Sequence, residues 1–402
     1  MATTGAHRPL RVAYVTDQFL NGYGFTKATT TADAIQIVSM ASAFGAAGVD
    51  LTLVLPAYPK RPIPTAPQIA AHYGVEPSFE VLPLTGPYPA PLKFRGIEKV
   101  AHAIKAAQRS RSRLFDVVYS RNLPVVLGAL SGTRLPVVYE THRPWPDQDK
   151  SKRVLFQVLK GHPRFKGLVL HSQLAVKSYA DLGYGEDRLC VALNGVDGQR
   201  FAEPLTIGEA RRRLGLPIDQ RLVVYAGQLS PDKGLGYLLD AAQRLPGVSF
   251  ALVGSSGEGP IELRATTLPN VRVVPWLPPH HVGTWLMAAD ILAMPPVRQP
   301  VDAIAAPTKT FQYLAAGRAI VAPAVPELEE FLTHDVHARL VAPGDLAGLV
   351  ETIAGLAQDD LARMRLGSAA RAQVAGRTWE ERALHIVDFL DRQRTGVTAA
   401  WR

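Results

Sequence analysis

The segment Pro307-Thr308-Lys309-Thr310-Phe311-Gln312-Tyr313-Leu314-Ala315-Ala316-Gly317 has the residue types of a helix that opens on an anion. Proline is tolerated at a helix start because its missing N–H would have no partner there. The first free N–H groups, on Thr308 to Thr310, then point outward with the positive end of the helix dipole, which suits a phosphate. Gly317 is placed to end the helix, and the apolar run 319–322 reads as the next buried strand. A second candidate is Lys233-Gly234. It follows the apolar run 222–227 at a helix entrance, where a lysine is a point charge suited to a diphosphate. A lysine at such a position is otherwise a solvated surface residue. A third is the loop Asn21-Gly22-Tyr23-Gly24-Phe25, where Gly22 and Gly24 would let backbone amides approach a diphosphate or an acceptor closely. Loop flexibility is the plain alternative there. His142 ends the apolar run 137–139 with Glu140 and Thr141, a strand-end placement that can serve chemistry or structure.

The elements needed to position these residues are legible as strand–helix alternation along the whole chain, which predicts parallel α/β sheets. In the first half, strands read at 11–16, 49–55, 117–120, 137–139, 167–171 and 189–192. In the second they read at 222–227, 250–254, 271–274, 291–294 and 319–322. Ile35, Val38, Met40, Ala41 and Phe44 recur at near-helical spacing. The Pro-rich stretch 56–91 reads as loop packed around the site. Leu384, Val387 and Leu390 read as the apolar face of a last helix, 379–393. The pattern gives two Rossmann-like, doubly wound domains facing across a cleft, 1–198 and 199–378, with the terminal segment 379–402 packing back on the first. Parallel sheets bind ligands at the C-terminal ends of their strands.

Bulk properties narrow the classes. The 402 residues are 47% apolar and 20% charged, a globular composition with material for two cores. No apolar run is long enough to span a bilayer, and 1–8 lacks the apolar core of a signal peptide. Cys190 is the only cysteine, so neither an intrachain disulfide nor a Cys-based metal site can form, as expected for a cytoplasmic chain. The net charge of +9 lies entirely in residues 1–198, which carry 23 Lys and Arg against 14 Asp and Glu. Arg95, Lys99, His102, Lys105, Arg109 and Arg113 recur at three- and four-residue steps, a basic stripe on a predicted 95–113 helix. Such a stripe could rest on the anionic inner face of a membrane, although a solvated helix face is the plainer reading. No aromatic–basic interleaving or nucleic-acid-binding module accompanies the charge.

Four ordered pieces resemble glycosyltransferase family four, of the GT-B fold. They are His171-Ser172 through Asn194-Gly195-Val196-Asp197 and Phe201; Val224 to Leu229 with Lys233-Gly234; Ala289 to Pro295; and Pro307 to Gly317. The resemblance implies a retaining, metal-independent transfer of a sugar from a nucleotide-diphosphate sugar, the co-substrate, with no further cofactor. The acceptor would be a hydroxyl or amine on a small molecule, a glycan or a lipid-linked glycan. It assigns Gly227, Gln228, Lys233, Pro307, Thr308, Lys309 and Gln312 to the donor, and sets His142 beside the transferred sugar, where a neutral imidazole could hydrogen-bond a hydroxyl or assist the nucleophile.

Two positions depart from the family pattern. Gln228 stands where an Arg or Lys is usual, so that charge is missing or comes from Arg298 or Lys309. Gln312 stands where a glutamate accepts from both ribose hydroxyls, leaving a neutral amide. The family's other glutamate would fall at Ile304, with Asp302 nearby but displaced. A nucleotide-sugar-binding pseudoenzyme or partner subunit is therefore one alternative, and a nucleotide-sugar epimerase of the same architecture is another.

Overall fold

The computed structural model describes residues 8–17, 31–57, 62–85, 102, 105, 115–297 and 307–395. The chain folds as two units. One comprises Met1–Leu193 and Trp379–Arg402, the other Asn194–Thr378. The chain passes between them just ahead of the boundary read from the sequence.

Among the described residues of the first unit, seven strands form one parallel sheet. They are β1 (Arg11–Val15), β2 (Asp50–Ala57), β3 (Glu80–Thr85), β4 (Val117–Ser120), β5 (Val137–Thr141), β6 (Phe165–Leu170) and β7 (Leu189–Val191). The order is β3-β2-β1-β4-β5-β6-β7, so the winding reverses between β1 and β4. Such a reversal splays the loops on either side and opens a crevice at the strand ends. Strand residues 12–15, 51–57 and 137–141 are buried, as expected of strands covered on both faces. The Ala32–Ala46 helix covers one face, capped by Thr31 Oγ1, which accepts from Ala34 N at 3.0 Å.

The terminal Trp379–Thr395 helix lies in the same core. Its buried face is Trp379, Ala383, Ile386, Phe389 and Leu390, at three- and four-residue spacing. Leu384 belongs to the opposite face and is half exposed, contrary to the face read from the sequence. The Pro-rich stretch also departs from expectation, since it holds the Ala66–Tyr73 helix and the edge strand β3. A Thr65–Gln68 capping box starts that helix. Pro83 is tolerated in β3 because an edge strand pairs on one side only.

Of the expected basic stripe, only His102 and Lys105 lie among the described residues. His102 is fully buried, its Nε2 2.9 Å from the Thr16 carbonyl, and burial lowers its pKa to about 4. It is a neutral packing residue and adds no surface charge. Among the described residues no helix is long and apolar enough to cross a membrane.

The second unit repeats the design, with six parallel strands among its described residues. They are β8 (Leu222–Ala226), β9 (Ser249–Ser255), β10 (Val271–Pro275), β11 (Ile291–Ala293), β12 (Ala319–Pro323) and β13 (Arg339–Val341), in the order β10-β9-β8-β11-β12-β13. Here the reversal falls between β8 and β11. The loop after β8 carries Gly227 to Lys233, and the Pro307–Ala316 helix follows β11. Both candidate anion-binding segments therefore flank one switch point. At the opposite end of the sheet, buried Asp290 receives Arg211 Nη2 at 2.5 Å and the Leu222 amide at 2.7 Å, which anchors the starts of β8 and β11.

Candidate functional site

In the second unit the site begins where β8 ends. Gly227 adopts φ 147, and its N–H donates to the Val253 carbonyl at 2.9 Å. Gly254, at φ 122, lies so close that a Cβ there would overlap the Gly227 carbonyl. Two glycines thus bring the ends of β8 and β9 closer together than any side chain would allow. Gln228 is exposed. The next residues form a short 3₁₀ turn, Pro231–Lys233, and Gly234 at φ 70 starts the Leu235–Arg244 helix. A Cβ on Gly234 would collide with Val297 and Pro295 in the chain beyond β11, so glycine fixes how closely the two loops meet.

The Pro307–Ala316 helix is tied to β8 by a buried hydrogen bond. The Ala226 N–H donates to Tyr313 Oη at 2.9 Å, and Tyr313 is fully buried. Phe311 and Leu314 bury the same face, and Gly317, at φ 64, ends the helix. This fastening brings Lys309 back over the strand end. Its Nζ sits 3.9 Å from the centroid of the Tyr225 ring, a cation–π contact. The Tyr225 hydroxyl donates to the Gln228 carbonyl at 3.1 Å. A Cβ at Gly227 would lie 2.8 Å from Lys309 Nζ, so the ammonium occupies space that only glycine leaves open. Burial, and then repulsion from Lys233, lowers the Lys309 pKa to about 7. Lys233 is partly exposed and pairs with Asp232 at 3.0 Å.

The structure therefore gathers Gly227, Gln228, Lys233 and Lys309 at one strand end. Gln312 lies half buried on the following turn. Pro307 and Thr308 lie in the first turn of the helix. Arg298, Asp302 and Ile304 lie outside the described residues, as do Gly22 and Gly24 of the first-unit loop. The sequence reading missed Tyr225 and Tyr313, which position Lys309. Their only signal was an aromatic residue at a strand end and another on the inward face of the following helix.

In the first unit His142 follows β5. Its Nε2 is buried and has no hydrogen-bond partner among the described residues, and its ring centroid is 6.1 Å from that of His171. Burial and the nearby Arg121 lower its pKa to about 4, so the ring is neutral at physiological pH. Beside it lies a fully buried polar cluster that the sequence did not reveal. Glu140 Oε1 accepts from Gln36 Nε2, His171 Nε2 and Arg382 Nη2, each at 2.6 Å, and its Oε2 accepts from Tyr119 Oη at 2.5 Å. Arg382 and Arg121, with these donors, hold the Glu140 carboxyl well below the usual carboxylate range despite its burial. His171 is close enough for an ion pair, but burial drives its pKa to about 3. The contact is thus a neutral imidazole donating to a carboxylate, and Arg382 supplies the balancing charge.

Two parallel α/β units, each wound in both directions from a switch point, define a two-domain, Rossmann-like class of protein. Residues 34–200 match the model of Glycosyltransferase Family 4, and residues 220–359 match that of Glycosyl transferases group 1. The chain belongs to this glycosyltransferase family.

Among relatives, a D-inositol 3-phosphate glycosyltransferase of Xylanimonas cellulosilytica is 30% identical over 50% of this chain and 51% of its own. The chain thus spans about half the length of that relative. TuaC of Bacillus subtilis, named for teichuronic acid biosynthesis, is 26% identical over 76% of this chain and 80% of its own. Among solved structures, HepE of Anabaena, in complex with UDP and glucose, matches with a TM-score of 0.71 at 18% identity, covering 95% of this chain and 99% of that one. Sucrose-phosphate synthase of Thermosynechococcus elongatus matches with a TM-score of 0.76 at 17% identity, over 96% of this chain and 100% of its own. At such identities the likeness is one of fold.

Proposed function

We propose that the chain moves a sugar from a nucleotide-diphosphate sugar to an acceptor hydroxyl or amine, with retention and without a metal. The acceptor would be a small molecule, a glycan or a lipid-linked glycan. One observation carries the reading: Lys233 and Lys309 converge on the end of β8, at the switch point of the second unit. As the anomeric carbon leaves, negative charge grows on the diphosphate oxygens. Fixed cations and helix-start amides stabilise that charge more than they stabilise the bound donor, which lowers the barrier. In this scheme Lys233, Thr308 and the 308–310 amides form the clamp, with Pro307 setting the helix start and Gln312 nearest the ribose. Gly227 and Gln228 would line the diphosphate. His142, neutral and with Nε2 uncommitted among the described residues, suits a sugar hydroxyl. Solved complexes of HepE with UDP and UDP-glucose support a nucleotide-sugar donor.

Calorimetric titration with UDP, GDP, dTDP and their sugars, followed by assays of donor hydrolysis and of transfer to an acceptor panel, tests this. Binding of a nucleotide sugar with neither hydrolysis nor transfer would favour a second reading, that of a nucleotide-sugar-binding subunit. Neutral, exposed Gln228 is the observation behind that reading.

A further inference from the structure

We propose that Lys309, seated on the Tyr225 ring against the Gly227 backbone, is the principal cation for the donor diphosphate, and that Lys233 is the lesser one. The inference rests on the donor reading above and concerns which charge does the binding.

Local charge balance points this way. A nucleoside diphosphate brings two to three negative charges, and the loop after β8 offers little against them. Gln228 is neutral, and Lys233 is already paired with Asp232 at 3.0 Å, so the turn has no net charge. Lys309 has no carboxylate or hydrogen-bond partner among the described residues. It makes the cation–π contact with Tyr225, and it faces Lys233. Tyr225 is itself kept protonated by burial, and Asp232 is held ionised by its hydrogen bonds and by Lys233, so neither neutralises Lys309. Among the described residues an ammonium in this position lacks an anion, and the Gly227 backbone lies directly beside it.

The same crowding has a measurable consequence. With a pKa near 7, Lys309 is largely neutral in the free protein at pH 8. A bound diphosphate favours the charged form, raises that pKa, and draws in a proton. Well below pH 7 the lysine is already charged and binding takes up little through it. Donor affinity therefore falls as pH rises above 7. A clamp built on Lys233 alone would leave both the affinity and the proton uptake unchanged when Lys309 is replaced.

The test is calorimetry of the full chain with UDP, GDP and dTDP at pH 6.5 and 8.0, in buffers of differing ionisation enthalpy. The expected result is proton uptake at pH 8.0 that is much smaller at pH 6.5. Lys309→Met should weaken binding by about 10- to 100-fold, a loss of the order expected for a charged phosphate contact, and should abolish the uptake. It should also raise the melting temperature of the free protein, since it removes a buried charge. Gln228→Arg in the Lys309→Met background should recover affinity without recovering proton uptake. Unchanged affinity and uptake in Lys309→Met would overturn the assignment and leave the donor reading intact. Failure of the unaltered protein to bind any nucleoside diphosphate would overturn the donor reading itself.

Discussion

Arg382 donates from Nη2 to Glu140 Oε1 at 2.6 Å although 242 residues separate them. Both side chains are buried, and Arg382 Nε also donates to the Leu193 carbonyl at 2.8 Å, at the last residue before the chain enters the second unit. One guanidinium therefore fastens the terminal helix to the centre of the first sheet and to its exit point. Removing one partner of a buried pair leaves an uncompensated charge, which typically costs about 3–5 kcal/mol. Arg382→Met is expected to lower stability in denaturant by about that much. Adding Glu140→Gln should cost less than the sum of the two single changes, because the orphaned charge is gone. A loss below about 1 kcal/mol for Arg382→Met would show that the pair carries little of the docking.

The first unit should weaken in mild acid. His102, His142 and His171 have folded pKa values near 4, 4 and 3, below the ordinary 6.5. The unfolded chain then binds more protons between those values, so the stability these histidines give is complete above about pH 6.5 and is lost as pH falls toward 4. Each can contribute at most about 1.4 kcal/mol per pH unit of that window. Thermal unfolding is expected to be level from pH 8 to 7 and to fall steadily below 6.5. His171→Gln should flatten the slope, and an unchanged slope would show that His171 is already charged in the fold.

The strands were legible because parallel sheets covered on both faces leave unbroken apolar runs, such as 222–226 and 319–323. The Pro307–Ala316 helix was legible because a proline marks its start and a glycine its end. What brings Lys309 to Tyr225 was not legible. The Tyr313–Ala226 bond joins residues 87 positions apart, and no local pattern announces it. The Glu140 cluster was hidden for the same reason, since Gln36, Tyr119, His171 and Arg382 come from four separate segments. Leu384 was misread because a shift of one residue on a helix turns the apolar stripe by 100°. In the Pro-rich stretch the prolines obscured a helix that one of them, Pro67, helps to start.

Tyr313→Phe isolates the fastening of the donor helix. It keeps the ring in the core but leaves the buried Ala226 N–H without its acceptor, a loss of about 1–3 kcal/mol. Because Lys309 lies one turn ahead on the same helix, nucleotide affinity should fall along with stability. Unfolding and calorimetry on one preparation measure both. Reduced stability with unchanged affinity would mean that the helix start holds its position without this bond.

Gln312→Glu tests the ribose assignment through its sign. If the side chain faces the ribose, a carboxylate accepts from two hydroxyls where an amide oxygen accepts less strongly, and affinity should rise by about 10-fold. If it faces the diphosphate instead, the added negative charge repels the ligand and affinity should fall. Comparing UDP with its 2′-deoxy and 3′-deoxy analogues separates a true ribose contact from a general electrostatic change. The gain should shrink with each analogue, because one of the two hydroxyls that donate to the new carboxylate is missing. A gain of equal size for all three ligands would remove Gln312 from the ribose and place its influence on the helix alone.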